Sequence, residues 1–113
     1  MNNTHVYKLL TPTDWAKAQA DGVTTTALDT ADGYVHLSTR DTAAETARLH
    51  YAGQQSVRLL EFAVADLSPL KWEPSRGGTL FPHLYGSLEI SRAARSWTLM
   101  LDASGAPVLP EDF

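Results

Sequence analysis

Residues 72–86, WEPSRGGTLFPHLYG, have the most distinctive composition in the chain. This stretch contains an acid, a base, a histidine, a tyrosine, two prolines and three glycines. Such a composition fits neither an amphipathic helix nor a simple alternating strand. Because glycine and proline restrict or free the backbone at chosen positions, we expect a loop that shapes a surface or a pocket.

A second polar segment, residues 34–38 (YVHLS), alternates cleanly between two faces. Val35 and Leu37 share the apolar face, which should point to the core. Tyr34, His36 and Ser38 share the other face and should line a cleft or meet solvent. We therefore expect the two polar segments to lie together, as the two walls of one cleft.

The remaining pattern indicates a single domain, residues 1–113, with a core at about 5–101 and an irregular tail at 102–113. Residues 5–10 and 96–101 read as strands, and residues 57–64 as a central strand that is apolar on both faces. Solvation is the favoured explanation for Glu61 within that strand.

Two short helices near the N-terminus complete the predicted fold. Thr11 should cap the first helix, which ends at Asp21-Gly22, and Thr42 should open the second, which ends at Gly53. Residues 28–33 carry an Asp-Gly turn signal. The sequence thus predicts an α+β domain with mixed or mostly antiparallel sheets.

Composition restricts the classes of function. The net charge of −4 argues against bulk binding of nucleic acid or an anionic membrane. The chain has no cysteine and no histidine spacing typical of zinc, so we expect no metal site. With no apparent signal peptide or long apolar run, a cytoplasmic location is the expectation.

Two pairs of polar residues are candidates for ligand binding. His36 could anchor a ligand or transfer a proton beside Ser38, or it could simply make a structural hydrogen bond. Tyr85 could stack on a flat heterocycle next to His83, or the segment could plug the edge of the core.

Glu73 and Arg76 are the charged candidates. Glu73 beside Trp72 could have a raised pKa as a general base, or it could pair with Arg76 at the surface. Arg76 precedes Gly77-Gly78, a pattern that suits an anion-receiving loop but is equally typical of a hairpin turn.

The chain resembles the DUF952 family of uncharacterised, mostly bacterial proteins. The resemblance rests on Tyr7-Lys8, Trp15, residues 32–39 (DGYVHLST) and residues 72–86. It implies a remote likeness to the ADP-ribosyltransferase-like fold, in which NAD binds between two sheets. By that likeness His36 with Ser38 would hold a ribose, Tyr85 or Tyr34 would stack, and Glu73 would be the acid.

Two hypotheses of function follow. In the first, the chain binds a small ligand or an NAD- or ADP-ribose-like nucleotide and carries out chemistry of the ADP-ribosyl-transfer type. Glu73 and His36 would be catalytic, and Tyr34, Ser38, Arg76, His83 and Tyr85 would bind the ligand. In the second, a non-catalytic module retains the cleft to bind a ligand or a partner protein.

Overall fold

The first strand and helix form where capping signals predict them. This computed structural model describes residues 4–111 and 113, with all of their side chains except that of Arg76. Strand β1 spans His5–Leu10 and helix α1 spans Pro12–Asp21. The Thr11 hydroxyl caps α1 by accepting a hydrogen bond from the Asp14 amide. Gly22, at a φ of 80°, ends the helix in the left-handed region that glycine favours.

The expected turn at residues 28–33 is wrong, because a third helix forms there. This helix, α2, spans Ala27–Asp32 and precedes a two-residue strand, β2, at Val35–His36. Thr26 caps α2 through the Asp29 amide, and Gly33 at a φ of 81° ends it. The Asp-Gly pair marks the end of a short helix rather than a free-standing turn.

The next helix, α3, spans Arg40–His50 and begins earlier than expected. Thr39 is its N-cap, and Thr42 occupies the third helical position, where it completes a reciprocal capping box with Thr39. The helix ends at Tyr51 rather than at Gly53.

The first sheet confirms the central position of the strand at residues 57–64. The middle strand, β3 (Val57–Ala63), pairs antiparallel with β1 and with β6 (Arg95–Leu99). Glu61 on β3 is buried, so the expectation that it is solvated was wrong. Its carboxylate accepts two hydrogen bonds from Arg95 and one from Tyr7, and these contacts lower its pKa.

The second sheet contains the stretch 72–86, which is a β-hairpin rather than a loop. Strands β4 (Leu70–Ser75) and β5 (Thr79–Leu84) pair antiparallel, and β2 adds to the other side of β5. A 3₁₀ turn at Arg76–Gly78 joins them, with Gly77 and Gly78 at φ values of 73° and 85°. The segment is extended because its two halves pair with each other across the hairpin. Amino-acid composition alone does not reveal such pairing.

One antiparallel bridge joins the two sheets. The Tyr7 amide donates a hydrogen bond to the Ser38 carbonyl oxygen, and the Ser38 amide donates one to the Tyr7 carbonyl oxygen, each at 2.8 Å. The fold is therefore a single-domain α+β arrangement of two three-stranded antiparallel sheets.

Short 3₁₀ turns and a packed C-terminal segment complete the chain. The 3₁₀ turns lie at Val64–Asp66 and Ile90–Arg92. After β6 the chain folds back, so that Leu109 and Phe113 pack against the first sheet. None of the helices within residues 4–111 has the length and apolarity to cross a membrane.

Candidate functional site

Four rings gather on one face of the second sheet, which we call the polar face and define as Tyr34, His36, Glu73, His83 and Tyr85. Strand register explains the gathering, because His36 pairs with His83 and Val35 with Leu84 across β2 and β5. Tyr34 stacks on His83 with ring centroids 4.1 Å apart, and lies 4.6 Å from His36 and 5.2 Å from Tyr85. Val35 and Leu37 are buried on the opposite side, as expected.

The two polar segments are therefore neighbours in one sheet, not opposing walls of a cleft. The opposing wall comes from β1, α2 and α3, and a cavity of about 400 Å³ lies between it and the polar face. We call this space the junction cavity. It is lined by His36, Ser38 and His83 from the second sheet, by Lys8 from β1 and by Asp29 from α2. Its volume lies within the range of about 300–1,000 Å³ typical of ligand sites.

Glu73 contacts His83 on β5 and Tyr85, the residue that directly follows this strand. Its Oε1 accepts a hydrogen bond from the Tyr85 hydroxyl at 2.6 Å and lies 2.9 Å from His83 Nδ1. These contacts, that of Tyr85 first, lower the pKa of Glu73. The sequence hypothesis of a raised pKa was wrong in direction, and Glu73 is an ionised acceptor.

His83 is a buried residue of the cavity wall, and among the described residues only one of its two ring nitrogens contacts a carboxylate. An ionised carboxylate only accepts, so Nδ1 of His83 carries the hydrogen shared with Glu73. Its Nε2 makes no hydrogen bond within residues 4–111 and 113. In the neutral ring this nitrogen is an acceptor for a hydroxyl or amide hydrogen of a ligand.

Both ring nitrogens of His36, in contrast, contact carboxylates. Nδ1 lies 2.6 Å from Asp29 Oδ1, and Nε2 lies 2.9 Å from Asp32 Oδ2. Asp32 is 41% exposed whereas Asp29 is 6% exposed. A ligand could therefore exchange with Asp32 at Nε2 far more readily than with Asp29 at Nδ1.

Asp29 is the carboxylate that contacts both the Lys8 ammonium and His36. Its Oδ1 also accepts from the His36 amide, and its Oδ2 accepts from Lys8 Nζ at 2.7 Å. Burial by itself would raise the pKa of Asp29, but the Lys8 ammonium and the His36 hydrogen bonds hold it below its usual value.

Lys8 is a buried cation that lines the junction cavity. Its ammonium donates to Asp29 and to the carbonyl oxygen of His36 at 2.9 Å. Burial lowers the pKa of Lys8, while the adjacent Asp29 carboxylate opposes that shift. The Lys8–Asp29 pair is electrically neutral as a unit, so it adds no net charge to the cavity.

The remaining predicted site residues lie close to this centre. Ser38 is buried, lines the cavity and holds β1 through its main chain. Tyr85 is 37% exposed at the outer end of the ring cluster, where Lys71 Nζ lies 4.9 Å from its ring centroid. The prediction for Arg76 falls on a side chain outside the described part of the structure.

Lys8, Asp29 and Asp32 are site residues that the motif search missed. Lys8 gave a usable signal, because a lysine in an otherwise apolar strand needs a buried partner. Asp32 gave none, since aspartate before glycine is typical of helix ends and turns, and Asp29 lies in the same predicted turn segment. Among the residues the structure describes, no group of histidines and acids is arranged to hold a metal ion.

Comparisons with known proteins identify relatives of the chain. The family model DUF952, described as a protein of unknown function, matches residues 9–96. The crystal structure of protein CC0527 from Caulobacter crescentus is 44% identical, with a TM-score of 0.88, over 94% of this chain and 95% of that chain. Its solution NMR structure is 41% identical, with a TM-score of 0.81, over 97% of each chain.

A search among curated proteins gave no match. The family match covers most of the chain, and the Caulobacter structures share its fold over nearly their whole length. The chain belongs to the DUF952 family.

Proposed function

We propose that the junction cavity binds the ribosyl part of a small nucleotide of the NAD or ADP-ribose type. The observation that carries the proposal is the position of His83, which lines the cavity, contacts Glu73 through Nδ1 and stacks on the ring of Tyr34. A neighbouring pair of acceptors suits the two adjacent hydroxyls of a ribose.

The hydrogen-bonding roles follow from which atoms are already engaged. Both described hydrogen bonds of Glu73 go to Oε1, so Oε2 can accept a ligand hydroxyl. His83 Nε2 can accept the second hydroxyl. Tyr85, partly exposed, offers a ring face for stacking a base, and the Tyr34 ring lies beside it with centroids 5.2 Å apart.

On grounds of charge we propose that a diphosphate would lie at the rim rather than inside the cavity. Lys8 is balanced by Asp29, and Asp14 adds a carboxylate to the lining, so the interior does not favour anions. The loop Arg76–Gly78 adjoins the rim, because Ser75 contributes to the cavity lining. Arg76 therefore stays the proposed contact for phosphate.

The proposed chemistry is transfer of an ADP-ribosyl group, the reaction that a likeness to the ADP-ribosyltransferase-like fold would imply. The bond between nicotinamide and the ribose C1′ would break, an acceptor nucleophile would bond to C1′, and its proton would pass to a base. In this scheme Glu73 fixes the ribose hydroxyl and His36, through Nε2, is the group that moves a proton. A location in the cytoplasm, where NAD is abundant, is part of the proposal.

A thermal-shift panel of NAD, ADP-ribose and common nucleotides tests binding. A ligand at about 100 times its Kd stabilises the folded state by about 2.7 kcal/mol, which raises Tm by several degrees. We expect His83→Gln to weaken binding about three- to tenfold, as loss of one hydrogen bond does. His5→Gln, outside the cavity lining, is the matched control. Flat melting curves at millimolar ligand contradict the proposal.

The second candidate is a non-catalytic module that uses the same cavity. It is favoured by the occupation of both His36 ring nitrogens, which leaves no free proton-transfer group there without exchange of Asp32. Nicotinamide release from NAD separates the two candidates. The enzyme hypothesis predicts release that Glu73→Gln abolishes, whereas the module binds the nucleotide, tolerates Glu73→Gln and releases no nicotinamide.

A further inference from the structure

A second depression, on the other side of the ring cluster, has a chemical character unlike that of the junction cavity. This hydroxyl groove, with a volume of about 410 Å³, lies between the segment after α1, the end of α2 and the segment after β5. Six of its eleven lining residues carry a hydroxyl group: Thr24, Thr25, Thr30, Tyr34, Tyr85 and Ser87.

Thr24 provides the observation that points to a ligand. Its side chain is 5% exposed, and its Oγ1 is the single buried polar side-chain atom without a hydrogen-bond partner among residues 4–111 and 113. The Thr24 amide is already paired with the Leu88 carbonyl oxygen, so the backbone is satisfied and the hydroxyl is not. An unpaired buried hydroxyl costs about 1–3 kcal/mol, and a polar partner in the groove would remove that cost.

The charges along the groove select the class of partner. Asp29 is the one ionisable carboxyl or amine that lines it within the described residues, and its oxygens are engaged by Lys8 and His36. Two ammonium groups lie beside groove residues: Lys17 is bonded to Thr25 Oγ1 at 2.6 Å and pairs with Asp21, and Lys71 Nζ lies 4.9 Å from the Tyr85 ring centroid. A phosphate or carboxylate in the groove would meet the Asp29 carboxylate and hydroxyl groups, while Lys17 is engaged by Thr25 and Asp21 and Lys71 lies over the Tyr85 ring.

Tyrosine rings complete the recognition surface. Tyr34 and Tyr85 line the groove, and their ring centroids lie 5.2 Å apart, so together they present an aromatic edge beside the hydroxyls. Sugars combine hydroxyl groups with an apolar C–H face, which matches a hydroxyl-lined site beside an aromatic ring.

We propose that the hydroxyl groove is a second binding site, for a neutral polyhydroxylated ligand of the size of a pentose or hexose, anchored by a hydrogen bond to Thr24 Oγ1. The groove lies outside the junction cavity and is not lined by His83 or Ser38, although both proposed sites use the rings of Tyr34 and Tyr85. Thr24 lines the groove and not the junction cavity, so sugar binding that depends on Thr24 tests this site apart from the nucleotide site.

A two-dimensional ¹H–¹⁵N NMR titration of the full chain with D-ribose and with D-glucose tests the proposal. We expect saturable shifts of the amide signals of Thr24, Thr30, Gly33 and Gly86 with both sugars, and with D-glucose no shift at Leu9 or Ser38 in the junction cavity. Ribose 5-phosphate should bind more weakly than ribose. Absence of saturable shifts with both sugars, or tighter binding of the phosphate, overturns the proposal.

Thr24→Val separates a binding hydroxyl from a structural one. The variant keeps the shape of the side chain and removes an unpaired buried hydroxyl, so Tm should stay unchanged or rise. Sugar affinity should fall about three- to tenfold, the loss of one hydrogen bond. Thr13→Val, at an exposed position on α1, is the control. Unchanged sugar affinity in Thr24→Val, whatever its Tm, overturns the assignment.

Discussion

His36 and His83 face each other across neighbouring strands with ring centroids 5.6 Å apart, yet each is held by a different carboxylate. Asp29 binds His36 from the buried side, and Glu73 binds His83 from the partly exposed side. Both ring nitrogens of His36 thus contact carboxylates, whereas His83 contacts one through Nδ1. We expect a ligand to bind at Nε2 of His83.

Replacing Asp29 with asparagine should destabilise the protein severely. The change leaves the buried Lys8 ammonium without its counter-ion, and loss of one partner of a buried pair costs about 3–5 kcal/mol. Urea unfolding measures this free energy. Asp21→Asn, which removes an exposed pairing with Lys17, is the control and should cost less than about 0.5 kcal/mol. A cost below about 1 kcal/mol for Asp29→Asn contradicts the role of Asp29 as the counter-ion of buried Lys8.

The contribution of Asp29 should also depend on pH. Its folded-state pKa is lowered, so its stabilisation is present above the unfolded value of about 3.9 and is lost as the pH falls through the folded value. The difference in unfolding free energy between the native protein and Asp29→Asn should therefore be constant near pH 6 and shrink below about pH 4. A difference that grows on acidification would show the opposite sign of shift.

Glu73→Gln should make Tyr85 more acidic. The hydrogen bond to Glu73 is the main cause that raises the pKa of Tyr85 to about 12, so removal of the carboxylate should return it towards about 10. In the native protein this hydrogen bond is intact below pH 10 and is lost as the pH rises through about 12. Ultraviolet difference titration should detect additional phenolate in the variant at about pH 11.

Glu45→Gln is the control for that titration, because Glu45 is an exposed partner of Arg48 on α3. Its titration curve should superimpose on that of the native protein. Superimposable curves for Glu73→Gln as well would mean that the Tyr85–Glu73 hydrogen bond does not persist in solution.

Phe113→Ala should lower stability although the residue lies at the end of the chain. The Phe113 ring meets the edge of Tyr7 at 4.5 Å and of Trp97 at 6.1 Å, and the Arg40 guanidinium lies 5.4 Å from its centroid. We expect a loss of about 1–3 kcal/mol, below that of a fully buried phenylalanine. Val108→Ala, at a 54% exposed position, should change the unfolding free energy by less than about 0.5 kcal/mol. Equal, small effects contradict the packing.

The sequence predicts the regular elements best where periodicity and caps agree. The strand at β3 and the first helix after Thr11 follow from an apolar run and from a capping threonine before proline. Composition misleads at residues 72–86, because two prolines and three glycines suggest a loop, while cross-strand pairing makes two strands.

The candidate site was predicted in part. Alternation in residues 34–38 places His36 and Tyr34 on one face, and the structure brings them beside His83 and Tyr85. The Lys8–Asp29 pair spans 21 residues, and a contact at that separation leaves no local pattern in the sequence. Glu61 was misjudged for the same reason, since its partner Arg95 lies 34 residues away.

Isothermal titration of the native protein and of His83→Gln with ADP-ribose tests the central claim most directly. We predict saturable one-to-one binding to the native protein, weakened about three- to tenfold in His83→Gln and unchanged in His5→Gln. Absence of heat and of saturation at millimolar ADP-ribose, or equal affinity of the native protein and His83→Gln, would contradict the assignment of the junction cavity as a nucleotide site.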